Sequence, residues 1–419
     1  IEEKALRATI ENVAQQHSLT PTPGWVDKIL QLYQIQVLRH GVMLVGPAGS
    51  GKTKAWTVLL QALESWTNIK SKAYVLDPKA ITKDELFGTL DPTTREWEDG
   101  LFTALLRKII DNLRGESEKR HWIIFDGDVD PEWVENLNAL LDDNKILTLP
   151  NGERLALPNN VRIIFEVQDL KYATLATVSR CGMIWFNEQT VTNAMIFSHY
   201  LKRLQSEPLD DTERAAWLQS QGGDAKQQQQ PDTREVPPGL QLQRQAAPIL
   251  QRFFTDGGLV ESSMQEASTK WHIMDFTRLR VLNSCFSLIN KSIAFVLEHN
   301  QRALTPMTPS LFEKYLQNRL LFAIMWGFGG SMNLTEREDF SRYLQTLNAT
   351  GTALPSAQSP LLDYFVSIDD GEWHQWSEKV PRREIETHEA ASPDLVISTV
   401  DTVRHVEVVK AWLSEHRPL

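Results

Sequence analysis

Only two cysteines, Cys181 and Cys285, occur in the 419 residues, long apolar runs are missing, and basic side chains are outnumbered. Two thiols form neither a disulfide framework nor, alone, a tetrahedral zinc site, and they suit a reduced, cytosolic-type compartment. No stretch approaches the roughly 18 consecutive apolar residues of a membrane span, and the opening Ile-Glu-Glu-Lys lacks the cationic-then-apolar order of a signal peptide. Lys and Arg number 43 against 54 Asp and Glu, for a net charge of −11. That balance disfavours a general nucleic-acid binder, whose affinity rests on cations neutralising phosphates. Neither a membrane nor a nucleic acid is therefore expected as a partner. No Met stands at position 1, and a segment of something longer is expected.

What is present is ordinary globular composition, 42% hydrophobic and 23% charged, which at this length predicts two or three domains with cores of their own. Residues 1–190 and those from 270 onward read as folded. From about 206 to 238 Gln, Asp, Pro and Gly dominate, with a run from Gln227 to Gln230. No apolar periodicity survives there, and a solvated insertion is expected. Residues 348–360, rich in Thr, Ser, Ala and Pro, read as a linker. Within the first 190 residues five short apolar runs (42–45, 73–76, 122–125, 161–167 and 183–186) alternate with amphipathic segments near 52–66, 101–113, 131–141 and 171–178. Short, nearly all-apolar strands alternating with helices predict a parallel sheet covered on both faces. Residues 90–100 and 146–158 interrupt the alternation as hairpins, the second carrying the turn signal Pro150-Asn151-Gly152. After residue 190 strand signals stop, and helical spacing over 276–297 and 310–325 predicts a mainly α-helical second half.

Gly46, Pro47, Ala48, Gly49, Ser50, Gly51, Lys52 and Thr53 match the pattern strand–GxxxxGK[ST]–helix. Glycines let backbone N–H groups turn inward around an anion, and the following helix adds its N-terminal dipole. Lys52 reaches the outer phosphates, and the Thr53 hydroxyl binds magnesium. The match follows an apolar strand and opens a helix, so nucleoside triphosphate binding outweighs a mere Gly-rich turn. Asp126 closes the run Trp122-Ile-Ile-Phe, where a carboxylate at the end of a neighbouring strand holds magnesium through water. A turn former or helix cap is the competing reading.

Hydrolysing members of this class place Glu or Asp directly after that Asp, to orient or activate the attacking water. Gly127 stands there instead and carries no functional group. Asp128 is the nearest substitute, but it lies past a Gly that begins a turn, and loop solvation or capping of the helix starting near Pro131 accounts for it. Tight ATP or ADP binding with slow or absent hydrolysis is expected. An active ATPase using Asp128 is the alternative.

Other residues complete the pattern. In Phe165-Glu166-Val167-Gln168-Asp169, Asp169 or Gln168 stands where ring ATPases carry a polar sensor of the γ-phosphate, with a turn-forming Asp an equal reading. Arg180, in Thr177-Val-Ser-Arg180-Cys-Gly-Met183, lies at an edge from which an Arg stabilises transition-state charge at a neighbouring subunit's nucleotide. A surface salt bridge is the alternative. Arg278 and Arg280 start a helix in the second half, from which one Arg can reach back to the γ-phosphate. Glu132-Trp133-Val134-Glu135 reads as a helix burying Trp133, the histidines show no metal spacing, and Trp326-Gly-Phe-Gly-Gly330 reads as a helix C-terminus.

The phosphate loop occurs together with Leu76-Asp-Pro-Lys-Ala80, LFGTLDPTTR at 86–95, Trp97-Glu-Asp-Gly-Leu-Phe102, FDGDVDPEWVE at 125–135 and TVSRCGM at 177–183. This set closely resembles the AAA+ modules of the dynein heavy-chain family over roughly residues 19–345, the Gln-rich insertion apart. The resemblance is to the second-module type. Asp126-Gly-Asp-Val-Asp-Pro131 and Leu149-Pro-Asn-Gly-Glu-Arg154 favour the cytoplasmic branch.

The resemblance implies an α/β AAA+ P-loop NTPase, with a five-stranded parallel sheet flanked by helices and an α-helical lid behind it. The large domain with its two hairpin insertions is expected over 1–190 and the lid, holding the Gln-rich insertion, over 191–345. A linker and lead-in to a next module would fill 346–419. ATP or ADP and Mg2+ are the implied cofactors, with Thr53 and, through water, Asp126 as magnesium ligands, and with the nucleotide bound but not hydrolysed. Arg180 matches the arginine finger of the preceding module's ATPase site. Asp169 occupies the sensor position where other modules often have Asn, and Arg280 the second sensor position, with Arg278 a near competitor. Implied partners are the neighbouring modules and the mechanical linker of the same heavy chain, the linker being touched by both hairpins. Microtubules and accessory chains would be reached only through the whole cytoplasmic, microtubule-associated motor. Residues 396–419 loosely repeat 24–44, so a further phosphate loop is expected just beyond Leu419.

Overall fold

The apolar runs 42–45, 122–125 and 161–167 form strands covered on both sides, whereas the edge runs 73–76 and 183–186 are covered on one, which leaves Val75 and Trp185 exposed. In chain order the strands of the first 190 residues are β1 Gly41–Val45, β2 Ser71–Leu76, β3 Gly88–Leu90, β4 Trp97–Asp99, β5 Arg120–Asp126, β6 Ile146–Thr148, β7 Arg154–Ala156, β8 Val161–Val167 and β9 Gly182–Trp185. Five of them make one parallel sheet in the order β2-β5-β8-β1-β9. The computed structural model describes residues 2–112, 114–221, 236–347, 351–356, 358–382 and 397–414. They fall into two units, Ile1–Met195 and Ile196–Leu419.

In the first unit, side chains alternate along each strand. Val42, Leu44, Trp122, Ile124 and Ile164 face a core shared with Trp25, Ile29 and Leu59. Met43, Val45, Ile123, Phe125 and Phe165 face the opposite core, with Leu106, Trp133 and Leu140. On that second face Phe125 lies 5.5 Å from Phe165 and 5.2 Å from Trp133, centroid to centroid. Each such pair adds about 0.5–1.5 kcal/mol beyond burial. The stack also fixes the strand ends, because the next residues along β5 and β8 are Asp126 and Glu166. The segment expected as one helix over 131–141 is helical in three pieces, Pro131–Val134, Glu135–Leu137 and Asn138–Leu141. Trp133, Val134, Leu137, Leu140 and Leu141 all stay buried.

Both expected hairpins are present, β3 with β4 and β6 with β7. Arg107, on the helix Leu101–Ile110, ties them together. Its guanidinium donates to both carboxylate oxygens of Asp99 on β4, at 2.7 and 3.1 Å, and to both of Glu153 at the other hairpin's turn, at 2.7 and 3.1 Å. Two forked pairs on one Arg give more geometric definition than isolated surface pairs.

The second unit is mainly helical, and its core is built on the helices Arg278–Arg302 and Pro309–Gly329. By length and composition Arg278–Arg302 would pass for a membrane span, but Val281, Leu282, Cys285, Leu288 and Ile289 are buried in this core. The Trp326–Gly330 motif closes the second helix as expected, and Gly327 also has a packing task. A Cβ there would lie 2.7 Å from the Cys285 backbone N, so the helices approach this closely only over a glycine.

Two expectations change in this unit. The supposed insertion over 206–238 contains a helix, Asp211–Gln221. Asp210 caps it through Glu213 N at 2.9 Å, and Trp217 Nε1 donates to Ser206 O at 3.1 Å. Capping thus holds a helix that has too few apolar residues to show a period. Residues 222–235, with the Gln run, lie outside the described residues. The stretch expected as linker and lead-in, 346–419, supplies Leu361, Leu362, Val366, Trp376, Val408 and Ala411 to the lid core. It does so through a short hairpin, β10 Tyr364–Val366 with β11 Trp373–Gln375, and the helix Val400–Leu413. Its apolar residues are spaced too sparsely to reveal this, because their partners are the distant long helices.

Each unit holds one cysteine. Burial pushes the Cys181 thiol up to about 12, and it pushes the fully buried Cys285 up as well. The thiolate is the reactive form, so alkylation of Cys181 in the folded chain should be roughly a thousandfold slower than in the unfolded chain, and that of Cys285 slower as well. Peptide mass mapping after timed alkylation checks this, and each thiol then reports the unfolding of its own unit.

Candidate functional site

The chain leaves β1 at Val45, turns through residues 46–51 and enters the helix Lys52–Thr67. Gly46, Gly49 and Gly51 have φ of +157°, +79° and +91°, and a Cβ on Gly46 would lie 2.0 Å from the Phe186 carbonyl oxygen. Side chains are excluded, which leaves a cradle lined by backbone. The Ser50 hydroxyl is buried with no hydrogen-bond partner among the described residues. An unmatched buried hydroxyl costs about 1–3 kcal/mol, and a phosphate oxygen in the cradle would answer it.

Lys52 is only 7% exposed. Its ammonium donates to Gly46 O at 2.6 Å and Pro47 O at 3.0 Å, folded over the loop. Burial lowers its pKa, opposed by the carboxylates of Glu166 and then Asp126. The two acids are neighbours across the sheet, since the parallel register pairs Asp126 with Glu166 and Glu166 with Leu44. Asp126 is exposed, and its carboxylate makes no hydrogen bond or ion pair among the described residues. Glu166 is 8% exposed. It accepts the Thr53 hydroxyl at 2.5 Å on one oxygen and Trp56 Nε1 at 3.0 Å on the other. The Thr53 hydroxyl oxygen and the exposed Asp126 carboxylate are hard oxygen donors of the kind magnesium takes, so the residues present fit that ion.

Gly127 follows Asp126 with φ of +153°, and its N–H donates to Glu166 O at 3.1 Å. That backbone is one that residues with a side chain rarely adopt. Asp128 pairs with Lys79 at 3.6 Å, both side chains about half exposed. The helix beginning at Pro131 is capped by Asp130, whose carboxylate accepts Glu132 N at 3.0 Å, and not by Asp128.

Gln168 and Asp169 are exposed, and Asp169 accepts Lys171 N at 2.9 Å in a local turn. Arg180 ends the helix Leu175–Arg180. Its Nε donates to Asp142 at 2.5 Å, and another guanidinium nitrogen donates to Ala176 O at 2.6 Å. Arg280 lies in the second unit and donates to Asp275 O at 2.9 and 3.2 Å, and to the Ser331 hydroxyl at 3.4 Å. Residues 46–53, Asp126 and Glu166 are thus brought together, while Arg180 is engaged with Asp142. Glu166 is the member that sequence reasoning passed over. Its signal was an acid among the buried residues of a strand whose other charge, Arg162, is only partly buried, because an unbonded buried carboxylate is costly.

A glycine loop joining a central parallel strand to a helix, with a buried Lys at its base and carboxylates at adjoining strand ends, defines a P-loop nucleotide-binding fold. A family model described as AAA domain (dynein-related subfamily) matches residues 41–181. One described as Dynein heavy chain AAA lid domain matches 250–378. A third, Hydrolytic ATP binding site of dynein motor region, matches 1–53, a stretch that ends before Asp126 and Gly127. Over 99% of its length the chain is 57% identical to a cytoplasmic dynein heavy chain of Dictyostelium discoideum. The corresponding protein of Drosophila melanogaster is 51% identical over 100% of the chain, and that of Caenorhabditis elegans 48% over 99%. The chain spans 9% of the length of each of these relatives. It belongs to the dynein-related AAA+ family, as a nucleotide-binding module of the motor-ring kind.

Proposed function

We propose that this chain is the second AAA+ module of a cytoplasmic dynein heavy chain, that it holds ATP or ADP with Mg2+ without hydrolysing it, and that Arg180 completes the ATPase site of the preceding module. The observation that carries the reading is Gly127. The position of the water-activating acid has no side chain, and its φ of +153° resists one. Asp128 lies beyond that Gly and pairs with Lys79, which supports the reading against a substitute base. Lys52 and the loop would bind phosphates, and Thr53 and Asp126, the latter through water, would hold magnesium, which supplies charge neutralisation there. Asp169, which accepts Lys171 N, would sense the γ-phosphate only through an intervening magnesium or Arg, and Arg280 only by exchanging Asp275 O for nucleotide.

For Arg180 the support is its setting. The helix that carries it is pinned by buried Thr177, which donates to Asn138 at 2.9 Å, and Leu175 and Trp185 nearby in the chain are 87% and 56% exposed. Exposed large apolar residues close in sequence to a partly exposed Arg suit a contact with another module. The two hairpins, joined through Arg107, would present one surface to the mechanical linker. Work on microtubules in the cytoplasm, with accessory chains, would belong to the whole motor.

The purified chain is expected to carry stoichiometric nucleotide through gel filtration and to release no phosphate, with Asp128→Asn indistinguishable from the parent. Extraction with mass analysis and a phosphate-release assay check both. Phosphate release that stops with Asp128→Asn would replace this reading by an active ATPase, and an empty site at millimolar ATP would reject nucleotide binding.

A further inference from the structure

We infer that Glu166 is a positioning residue for magnesium: by taking the proton of the Thr53 hydroxyl it aims that oxygen's lone pairs at the cation of a bound nucleotide. This rests on the nucleotide-binding reading and adds to it a residue that the phosphate-loop pattern does not contain. A Thr hydroxyl has one proton and two lone pairs. With the proton held by Glu166 at 2.5 Å, both lone pairs are free for other partners, and Thr53 itself is exposed at the start of its helix. Without that acceptor the hydroxyl rotates and its proton competes for the direction the cation needs.

The carboxylate is fixed for this task from three sides. Trp56, one helical turn after Thr53, holds its second oxygen at 3.0 Å. Its main-chain oxygen accepts Gly127 N at 3.1 Å. Its strand neighbour Phe165 is clamped by Phe125 and Trp133. A buried acid in a central strand is a costly choice where an apolar residue would pack, and both of its oxygens are spent on the helix that follows the phosphate loop. Asp126, the acid the sequence pattern points to, is exposed and holds no such bond. One residue therefore links the magnesium-binding hydroxyl to the strand end that lacks a catalytic base.

The test reads a ratio. ATP affinity of the nucleotide-stripped chain is measured by calorimetry in excess Mg2+ and again in EDTA, for the parent, Glu166→Gln, Glu166→Ala and Thr53→Ala, and for Thr53→Ala combined with Glu166→Gln. Glu166→Gln keeps the side-chain volume and an acceptor for Trp56, and slow alkylation of Cys181 verifies folding of every variant. The magnesium enhancement is expected to fall about tenfold in each Glu166 variant, the scale of one charge-assisted hydrogen bond, and the double variant should lose no more than Thr53→Ala alone. An enhancement equal to the parent's in Glu166→Gln, whatever the absolute affinities, overturns the inference, as does an additive loss in the double variant. A parent that binds no ATP under either condition rejects the nucleotide-binding reading instead.

Discussion

Lys52→Ala is expected to yield a purified chain free of nucleotide, with ATP affinity lowered by about 10²–10³-fold. The side chain is a compact cation with three donors, almost fully buried under the loop. Truncating one partner of a buried, hydrogen-bonded charge pair costs about 2–5 kcal/mol, and each 1.4 kcal/mol is a factor of ten. Stability should change little by comparison. The variant loses the bonds to Gly46 O and Pro47 O, carbonyls that water can reach once the side chain is gone. Glu166 keeps its Thr53 and Trp56 partners. Slow alkylation of Cys181 would show that the first unit remains folded, so loss of nucleotide could be assigned to the site. Stoichiometric nucleotide in folded Lys52→Ala would mean that the loop backbone alone supplies the affinity and that the phosphate-loop reading gives the Lys too large a part.

The first unit could be read from the sequence because its signals are local. The interior strands appear as nearly all-apolar runs, and the phosphate loop is eight consecutive residues between a strand and a helix. What stayed hidden depends on contacts far along the chain. Glu166 meets Thr53 across 113 positions, and Arg180 meets Asp142 across 38. The residue type at 127 was plain, but its φ of +153° was not, and that angle turns a missing side chain into a position that resists one. In the second unit the helix Asp211–Gln221 rests on a cap and one Trp rather than on an apolar stripe. Trp376 is buried only because distant helices cover it. Patterns of period two or 3.6 cannot carry either fact.

In the assembled motor, Arg180→Ala is expected to depress phosphate release at the preceding module by about 10³-fold, the lower end of what an arginine finger supplies, while this module keeps its own nucleotide. The side chain's present engagement does not stand in the way. Its pairing with Asp142 joins two partly exposed groups, at 31% and 41%, and such pairs contribute about 0–1 kcal/mol. Charge developing on a phosphoryl group in a site that excludes water attracts a guanidinium far more strongly, so Arg180 can exchange Asp142 for phosphate at little cost. Asp142 sits at the C-terminus of the helix Asn138–Leu141, just ahead of β6, and holds the Arg near the end of its own helix. Asp142→Asn should then change turnover only a few-fold, because it removes a weak competitor and no contact with the nucleotide. Arg180→Lys should not rescue, since a single ammonium lacks the planar fork that addresses two phosphate oxygens at once. Single-turnover phosphate release by the motor separates these outcomes. Unchanged release in Arg180→Ala would leave Arg180 as one half of a surface ion pair with Asp142, and the role in the preceding module would have to pass to another residue.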